Sequence, residues 1–284
     1  FIAHEIHQLE QLGLGLRLYA VKDEREALTH AVVGAIRAPL TYLPEASSLS
    51  GTTLVRWLRD NLGAFWRAHA ALLRRRPLAW CATLGSALAL TWRHRKRDGG
   101  FALRKVFIKE FVQAGWIAQT VLREGDVSHL HGHFCHGVAT ITWFASRMSG
   151  LPFSFTAHAK DIYQAELNPG RLLERKLGAA RFVATCTCAN AQVLRARHPR
   201  PDAVHAIYHG LDTQWFSPRP AARGDETPLL LAVGRLVEKK GFDQLIAACA
   251  QLKRRGANFR CLIVGEDGPF GAALREQIAA LDVA

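Results

Sequence analysis

The sequence lacks an apolar run long enough to cross a bilayer, and it is short of acidic residues. Its longest stretch without a charged residue or a histidine, Pro77 to Trp92, has sixteen residues and is flanked by arginines, whereas a spanning helix needs about 20. Among 284 residues, 37 are Lys or Arg and 24 are Asp or Glu, which gives a net charge of +13. A transmembrane segment is therefore not expected, while an anionic partner such as nucleic acid, phospholipid or a phosphorylated substrate has to be considered.

The chain also lacks a Cys-x-x-Cys pair. Its six cysteines lie mostly inside apolar runs, which favours reduced, buried thiols in a cytosolic protein over a disulfide framework. Cys186 and Cys188 would point to the same face of a predicted strand, but no second ligand pair has suitable spacing, so no metal site is expected there. With 49% hydrophobic and 21% charged residues, the composition excludes a mainly disordered chain.

The excess positive charge is concentrated in residues 51–125, which hold 14 basic and 4 acidic side chains. Basic runs at 74–76 and 93–97 lie beside bulky aromatics at helical spacing, a pattern that suits the surface of an anionic bilayer. One alternative is a solvated helical surface with its tryptophans in the core. Another is nucleic-acid binding, but no helix-turn-helix, zinc-finger or RNA-binding sheet signature supports it. The interleaved tryptophans are Trp57, Trp66, Trp80, Trp92 and Trp116.

Outside that segment, short apolar runs alternate with helical patterns, as expected of βαβ units and a parallel sheet. We expect a first domain at 1–210 whose strands form one sheet, a linker at 211–228, and the start of a second α/β domain at 229–284. Because the pattern opens on a helix and ends after two strands of the second domain, we expect a fragment, with the first strand of one domain and the remainder of the other missing. The predicted strands are Leu16–Val21, one ending near Ser128–His131, Phe153–Thr156, Phe182–Thr187, Val204–Tyr208, Leu229–Val233 and Arg260–Val264.

The stretch from Gly234 to Phe242 follows a predicted strand and opens a predicted helix. Such a loop presents backbone N–H groups and a helix dipole to an anion, and Arg235 and Lys240 add two cationic side chains. This suits a diphosphate, although an ordinary βα turn with solvated charges explains the spacing equally well. The loop matches neither G-x-G-x-x-G nor the G-x-x-x-x-G-K-S/T pattern, so the glycines of dinucleotide-binding folds and nucleoside triphosphatases are absent.

A second loop with glycines, from Gly265 to Pro269, follows the next predicted strand. Ligands of open α/β sheets bind at the carboxyl ends of strands. The glycines would let a base or phosphate approach closely, while Glu266 and Asp267 could accept hydrogen bonds from hydroxyl groups. A plain Gly-Pro turn with helix-capping acids explains the loop almost as well.

Histidines cluster where two neighbouring strands are predicted to end. His158 follows the strand at Phe153–Thr156, and the others precede it on the chain. At the carboxyl ends of adjacent parallel strands they would share one crevice, where they could orient hydroxyls or phosphate. Polar loop packing and a zinc site are the alternatives, but three histidines within six residues rarely meet tetrahedral geometry. The earlier members are His129, His131, His133 and His136.

Five motifs together carry a family resemblance: His131-Gly132-His133-Phe134, Phe155 to Tyr163, His209 to Phe216, Val233 to Gly241 and Ile263 to Pro269. In this order they resemble glycosyltransferase family 4, retaining enzymes of the GT-B fold, in which two Rossmann-like domains face each other across a cleft. The resemblance covers about residues 1–22 and 126–284. Within the family, the sequence looks most like the colanic acid and exopolysaccharide transferases.

The resemblance implies a role for particular residues. Arg235 and Lys240 would hold the diphosphate of a UDP- or GDP-sugar donor, and fixed cations there would neutralise the leaving group without a metal or a cofactor. His158 would be the catalytic residue beside the transferred sugar. Because the family transfers the sugar by front-face attack, no protein nucleophile is implied. Further donor contacts would come from Gly234, Gly265, Glu266 and Gly268, and acceptor or sugar-side contacts from His133 and Asp161.

We therefore expect a retaining hexosyltransferase of exopolysaccharide or cell-envelope glycan biosynthesis. It would act on a lipid-linked or polysaccharide acceptor at the cytoplasmic face of the membrane, without nucleic acid. The family's glycine-rich first loop and its pair of glutamates are absent here, so the fragment itself is not expected to be an efficient enzyme. The nucleotide loop is one residue longer than the common Gly-x-Gly-Pro. One alternative is an NAD-dependent oxidoreductase, but this sequence lacks the glycine fingerprint and the acidic ribose partner of such enzymes. The other alternative is a non-catalytic basic membrane-binding module.

Overall fold

The computed structural model divides the chain into two compact units, Phe1–Asp212 and Thr213–Ala284. Most of the linker predicted at 211–228 lies outside the described residues, as do residues 96 and 97 of the second basic run. The structure describes residues 1–21, 30–44, 51–95, 103–210, 213, 216 and 227–283.

The first unit alternates between helices and short strands. Its helices are α1 (Ile2–Gln11), α2 (Ala31–Ala35), α3 (Leu54–Arg75), α4 (Pro77–Arg93), α5 (Val106–Glu124), α6 (Gly137–Ser149), α7 (Ala159–Tyr163), α8 (Leu172–Ala179) and α9 (Cys188–Arg195). Its strands are β1 (Leu18–Ala20), β2 (Leu40–Tyr42), β3 (Leu130–His133), β4 (Phe153–Ala157), β5 (Val183–Thr185) and β6 (Val204–Ala206).

Four of these strands form a parallel sheet in the order β3-β4-β5-β6. Since all four run in the same direction, their carboxyl ends meet at one edge of the sheet. Every residue of β4 is buried, including Ser154 and Thr156, as expected for a central parallel strand that is covered on both faces. The prediction of an α/β fold with parallel strands is confirmed.

The first strand does not join this sheet. β1 pairs in parallel with β2, Leu18 lying opposite Leu40, and the two form a separate two-stranded sheet. The expectation of one sheet for all strands of the first domain is therefore wrong, and β2 was not predicted. β2 has three residues between Pro39 and Pro44, all of them exposed, so it shows no burial periodicity from which a strand could be recognised.

The described residues of the basic segment form three helices, of which α5 lies in the core and α3 and α4 pack against it. α3 begins at Thr53, whose Oγ1 accepts a hydrogen bond from the backbone N–H of Arg56 at 3.2 Å. The tryptophans divide between the two predicted environments. Trp57 is 1% exposed, whereas Trp66 and Trp92 are 51% and 58% exposed. None of the described helices combines the length and apolar character of a membrane-spanning segment.

The described residues of the second unit form two parallel strands and two α-helices, with bounds close to those predicted. A small core of Phe242, Ile246 and Leu274 packs against partly buried side chains of both strands. Its elements are β7 (Leu229–Val233), α10 (Phe242–Arg254), β8 (Arg260–Val264) and α11 (Gly271–Ala280), and β7 pairs with β8.

The thiols are more exposed than predicted. Of the six cysteines, Cys135 and Cys249 are buried, and none forms a disulfide. Cys81 in α4 and Cys261 in β8 are exposed although both lie in apolar runs. An apolar run predicts burial only if all sides of its element are covered, and the described residues leave one side of α4 and most residues of β8 exposed.

Candidate functional site

Aromatic rings meet at the carboxyl edge of the four-stranded sheet. His133 ends β3, His158 directly follows β4, and His209 comes after β6. The ring centroids of His158 and His209 are 5.9 Å apart, and the ring of Phe1 lies 4.2 Å from His209 and 5.0 Å from His158. Phe134 lies 4.9 Å from His158 on the loop after β3. We call these five residues the histidine site.

His158 is 9% exposed, and its Nε2 atom is buried without a hydrogen-bond partner among the described residues. Burial lowers the pKa of His158 below its usual range, and the nearby charge of Asp161 offsets only part of that shift. The ring is therefore neutral near pH 7. A neutral imidazole with an unused nitrogen can exchange a hydrogen bond with a sugar hydroxyl or ligate a metal ion.

Asp161 lies in the first turn of α7 and is 1% exposed. Its Oδ1 accepts the backbone N–H of His158 at 2.9 Å, its Oδ2 accepts the N–H of Cys135, and Oδ2 lies 3.6 Å from Nδ1 of His136. Burial alone would raise the pKa of Asp161, but the interactions with His136 and the backbone N–H groups outweigh it and lower the pKa. These contacts support a positioning role for Asp161, and direct contact with a sugar stays a prediction.

Sequence reasoning missed Lys176, which is fully buried in α8. Its Nζ donates to the carbonyl oxygen of Cys135 at 2.5 Å, that of His136 at 3.2 Å, and Oδ1 of Asn168 at 2.5 Å. Burial lowers the pKa of Lys176 to about 8 and raises that of Glu110 to about 8. Lys176 shares the apolar stripe of its helix, and this position was the available signal of burial.

The loop after β3 holds a strained residue against His158. Phe134 has a φ of +78°, a conformation that a bulky L-residue rarely adopts. Its backbone N–H donates to the carbonyl oxygen of Thr156 at 2.8 Å. Because Asp161 and Lys176 bind backbone groups of the next two residues, the fold maintains this turn from both sides.

The predicted histidine cluster separates into two roles. Nδ1 of His131 lies 2.7 Å from Oγ of Ser154, Nε2 of His131 lies 3.0 Å from Oγ1 of Thr156, and His129 also contacts Ser154 at 2.7 Å. These two histidines are engaged in polar packing. His133 instead joins the histidine site, with Nε2 3.9 Å from Oε1 of Glu5, and burial, aided by the charge of His209, lowers its pKa to about 4.

In the second unit, the loop Gly234–Gly241 joins β7 to α10, and we call it the cation loop. It contains a single 3₁₀ turn at Glu238–Lys240 and ends at Gly241, whose φ of +68° favours glycine. Arg235 and Lys240 are both exposed. Within the described part of the chain, neither side chain makes a hydrogen bond or an ion pair. Both cations are therefore available to a ligand.

Close contacts within the protein explain why glycine is needed in the two predicted donor loops. A Cβ on Gly265 would collide with the carbonyl oxygen of Gly234, and a Cβ on Gly268 would lie 2.6 Å from the carbonyl oxygen of Leu236. The loops are also joined by a hydrogen bond from the N–H of Leu236 to the carbonyl oxygen of Glu266 at 3.3 Å. Loop packing thus explains Gly265 and Gly268 without a ligand, and their donor contacts stay predictions.

Among the residues that the structure describes, two groups of side chains could hold a metal ion, since the ligand atoms within each group lie within 4.8 Å of one another. The expectation of no metal at Cys186 assumed that Cys188 shares its strand. β5 ends at Thr185, and Cys188 instead opens α9. The tertiary structure brings other partners to Cys186. The groups are Glu5, His131 and His133, and His158, Cys186 and His209.

Comparison with known proteins finds glycosyltransferases that are similar to parts of this sequence. Residues 213–284 match the family model described as "Glycosyl transferases group 1". The "Putative colanic acid biosynthesis glycosyltransferase WcaL" of Escherichia coli K12 is 47% identical over 70 residues, which are 24% of this chain and 17% of that protein. The D-inositol 3-phosphate glycosyltransferase of Frankia alni is 29% identical over 296 residues, which cover 97% of this chain and 66% of the relative.

A solved structure is also similar. Anabaena Alr3699/HepE, crystallised in complex with UDP and glucose, superposes with a TM-score of 0.47 at 17% identity, over 59% of this chain and 48% of HepE. This chain spans part of the length of each of these proteins.

Proposed function

We propose, from the sequence similarity to glycosyltransferases, that the protein containing this chain moves a hexose from a nucleotide-diphosphate donor to a lipid-linked or polysaccharide acceptor, with retention. The reaction would serve exopolysaccharide or cell-envelope glycan biosynthesis. The observation that carries this proposal is the pair of exposed, unengaged cations on the cation loop, within the residues that match the family model.

We assign the donor diphosphate to Arg235 and Lys240. A UDP- or GDP-sugar loses a nucleoside diphosphate, and negative charge grows on the leaving oxygen as the bond to the sugar breaks. Fixed cations stabilise that charge where it develops. The guanidinium of Arg235 suits two phosphate oxygens at once, while the ammonium of Lys240 supplies a point charge. The proposal needs no metal and no cofactor besides the sugar nucleotide.

We assign the sugar side of the reaction to His158. Its neutral ring and unengaged Nε2 suit a hydrogen bond to a hydroxyl of the transferred sugar. His133 would contact the sugar or acceptor from the same edge of the sheet, and Asp161 would hold the backbone of His158 in place. His158→Ala should therefore reduce turnover more than nucleotide affinity. Equal losses of turnover and of nucleotide affinity would contradict this assignment.

The acceptor proposal rests on the exposed side of α3 and α4. Leu78 is 85% exposed, and Trp66 and Trp92 are each more than half exposed. Arginines flank α4 at both ends. Exposed apolar side chains bordered by cations fit an anionic lipid surface, so we propose peripheral attachment at the cytoplasmic face of the membrane. Between its first residue and Arg93, the exposed residues of α4 form an uncharged stripe of Leu78, Cys81, Ala82, Gly85, Leu88, Ala89 and Trp92.

The donor proposal is tested by calorimetry of the full-length protein with UDP, GDP and NAD+. We expect the protein to bind UDP or GDP and to release the same nucleotide from a matching sugar nucleotide. NMR of the product should show that the anomeric configuration of the sugar is retained. Binding of NAD+ alone would favour the oxidoreductase alternative.

The membrane proposal is tested by sedimentation with anionic vesicles and with duplex DNA. Leu78→Glu with Trp92→Glu should weaken vesicle binding, while Leu252→Glu, at an exposed position of the second unit, should not. Binding to DNA but not to vesicles would contradict the proposal. Vesicle binding without any transfer activity would favour the non-catalytic module.

A further inference from the structure

We infer that His158, Cys186 and His209 form a binding site for Zn²⁺ at the carboxyl edge of the four-stranded sheet, and that the ion inhibits the protein by occupying His158. The three residues are far apart in the sequence but follow β4, β5 and β6, whose carboxyl ends lie side by side. All three belong to the first unit. The inference goes beyond the proposed function, which assigns no metal to this edge.

The geometry is close to that of a zinc site. One ligand atom from each of the three side chains lies within 4.8 Å of the others. Tetrahedral zinc with Zn–N of about 2.0–2.1 Å and Zn–S of about 2.3 Å places its ligand atoms roughly 3.3–3.6 Å apart. The three atoms therefore need to approach by at most about 1.5 Å, within the reach of small rotations of the side chains.

The orphaned nitrogen of His158 is the independent sign of a ligand. Its Nε2 is buried and has no hydrogen-bond partner among the described residues, although buried polar atoms are nearly always paired. A metal ion would satisfy that atom. His209 is exposed, so the ion could enter from the side of that residue.

The donor set suits zinc. Two imidazoles and one thiolate combine nitrogen and sulfur ligands, and three protein ligands leave a fourth position for water, as in open zinc sites. The Cys186 thiol would release its proton to solvent when the ion binds. Nδ2 of Asn190 lies 3.7 Å from Sγ of Cys186 and would support the sulfur from the outer shell.

The neighbouring group of Glu5, His131 and His133 is the weaker candidate. Both ring nitrogens of His131 are already engaged, with Ser154 and with Thr156. A metal there would have to break one of those hydrogen bonds. At the site containing Cys186, Nε2 of His158 can bind a metal ion without losing a hydrogen bond.

The first test measures binding of the metal alone to the full-length protein. Calorimetry with Zn²⁺, and absorption after Co²⁺ substitution, should show one site with a thiolate-to-cobalt charge-transfer band. Cys186→Ser and His209→Ala should each lower affinity at this site at least tenfold, and Cys186→Ser should remove the band. Cys188→Ser, two residues away and exposed, is the matched control and should bind as the wild type does. An unchanged band in Cys186→Ser would overturn the inference.

The second test concerns inhibition and rests on the proposed function. Zn²⁺ should inhibit sugar transfer by the wild type, and a chelator should restore it. Cys186→Ser should keep its basal activity and lose sensitivity to Zn²⁺. Equal inhibition of both proteins would refute the inhibitory role. If no variant transfers sugar, the proposed function fails, while the binding measurements still decide whether the site exists.

Discussion

The histidine site and the cation loop use polar groups in opposite ways. Around His158, the carboxylate of Asp161 and the ammonium of Lys176 are buried and hydrogen-bonded to backbone groups of the protein. In the cation loop, Arg235 and Lys240 are exposed and make no recorded polar contact with the rest of the described chain. The first region thus needs its charges to hold its own shape, whereas the second can offer its charges to a ligand.

The difference has an energetic basis. A buried charge is stable only if the protein replaces its lost hydration with hydrogen bonds, so its removal leaves other groups unsatisfied. An exposed cation keeps its hydration and can be removed with little effect on folding. Substitutions in the two regions should therefore change different quantities.

The largest effect on stability is expected for Lys176→Met. The substitution keeps the apolar stem but leaves the carbonyl oxygen of Cys135 and Oδ1 of Asn168 without their ammonium donor, whereas the carbonyl oxygen of His136 still accepts the N–H of Thr140 at 3.1 Å. With roughly 1–3 kcal/mol for each buried unsatisfied group, we expect a loss of about 3–5 kcal/mol in the free energy of unfolding, measured with urea. Lys160→Met, at an exposed position of α7, is the control. Equal losses in the two variants would remove the contrast between the regions.

Arg235→Ala and Lys240→Ala should each weaken binding of UDP or GDP by roughly 1.5–3 kcal/mol, because each removes a charge-assisted contact. Calorimetry measures this change, and the unfolding midpoint should stay at the wild-type value. Arg254→Ala, at an exposed position near the end of α10, should leave affinity unchanged. The assignment of the diphosphate to the cation loop would be refuted by unchanged UDP and GDP affinity in both loop variants.

Asp161→Asn tests positioning within the histidine site. The amide keeps the shape of the side chain but loses the charge that holds the N–H groups of Cys135 and His158. We expect kcat to fall because the activation free energy rises by about 1–3 kcal/mol, while nucleotide affinity stays within twofold of the wild-type value. Asp202→Asn, in an exposed turn, should change neither. A fall in nucleotide affinity as large as that in kcat would argue against positioning of His158.

The smallest effect concerns pH. The pKa of His133 is about 4 in the folded protein against an ordinary value of about 6.5, so the unfolded chain takes up a proton first as the pH falls. The stability that depends on neutral His133 is present above pH 6.5 and is lost between pH 6.5 and 4, with a slope of at most about 1.4 kcal/mol per pH unit.

His133→Gln should make this pH dependence shallower in urea unfolding at several pH values. The pKa of Glu110 is raised in the folded protein, so this group lowers the stability as the pH rises. Its effect is the same in the variant and in the wild type. Parallel curves for the variant and the wild type would contradict the burial of a neutral His133.

Much of the second unit follows from its sequence. β7 is a continuous apolar run, β8 is apolar after Arg260, and each is followed by a glycine-containing loop and a helix, so the bounds predicted for them agree closely with the structure. β2 could not be predicted, because three exposed residues between prolines carry no periodic signal. The exposed thiols were mispredicted since an apolar sequence does not show which side of an element stays uncovered.

The sequence by itself determined the alternation of strands and helices, the concentration of cations in residues 51–125 and the cationic βα loop, because these depend on neighbouring residues. The tertiary structure alone decided that Lys176 is buried beneath the loop after β3, that His129 and His131 pack with hydroxyl groups of β4, and that Cys186 meets two histidines. These contacts join residues that are distant in the chain, and the register and order of the parallel strands set which of them meet.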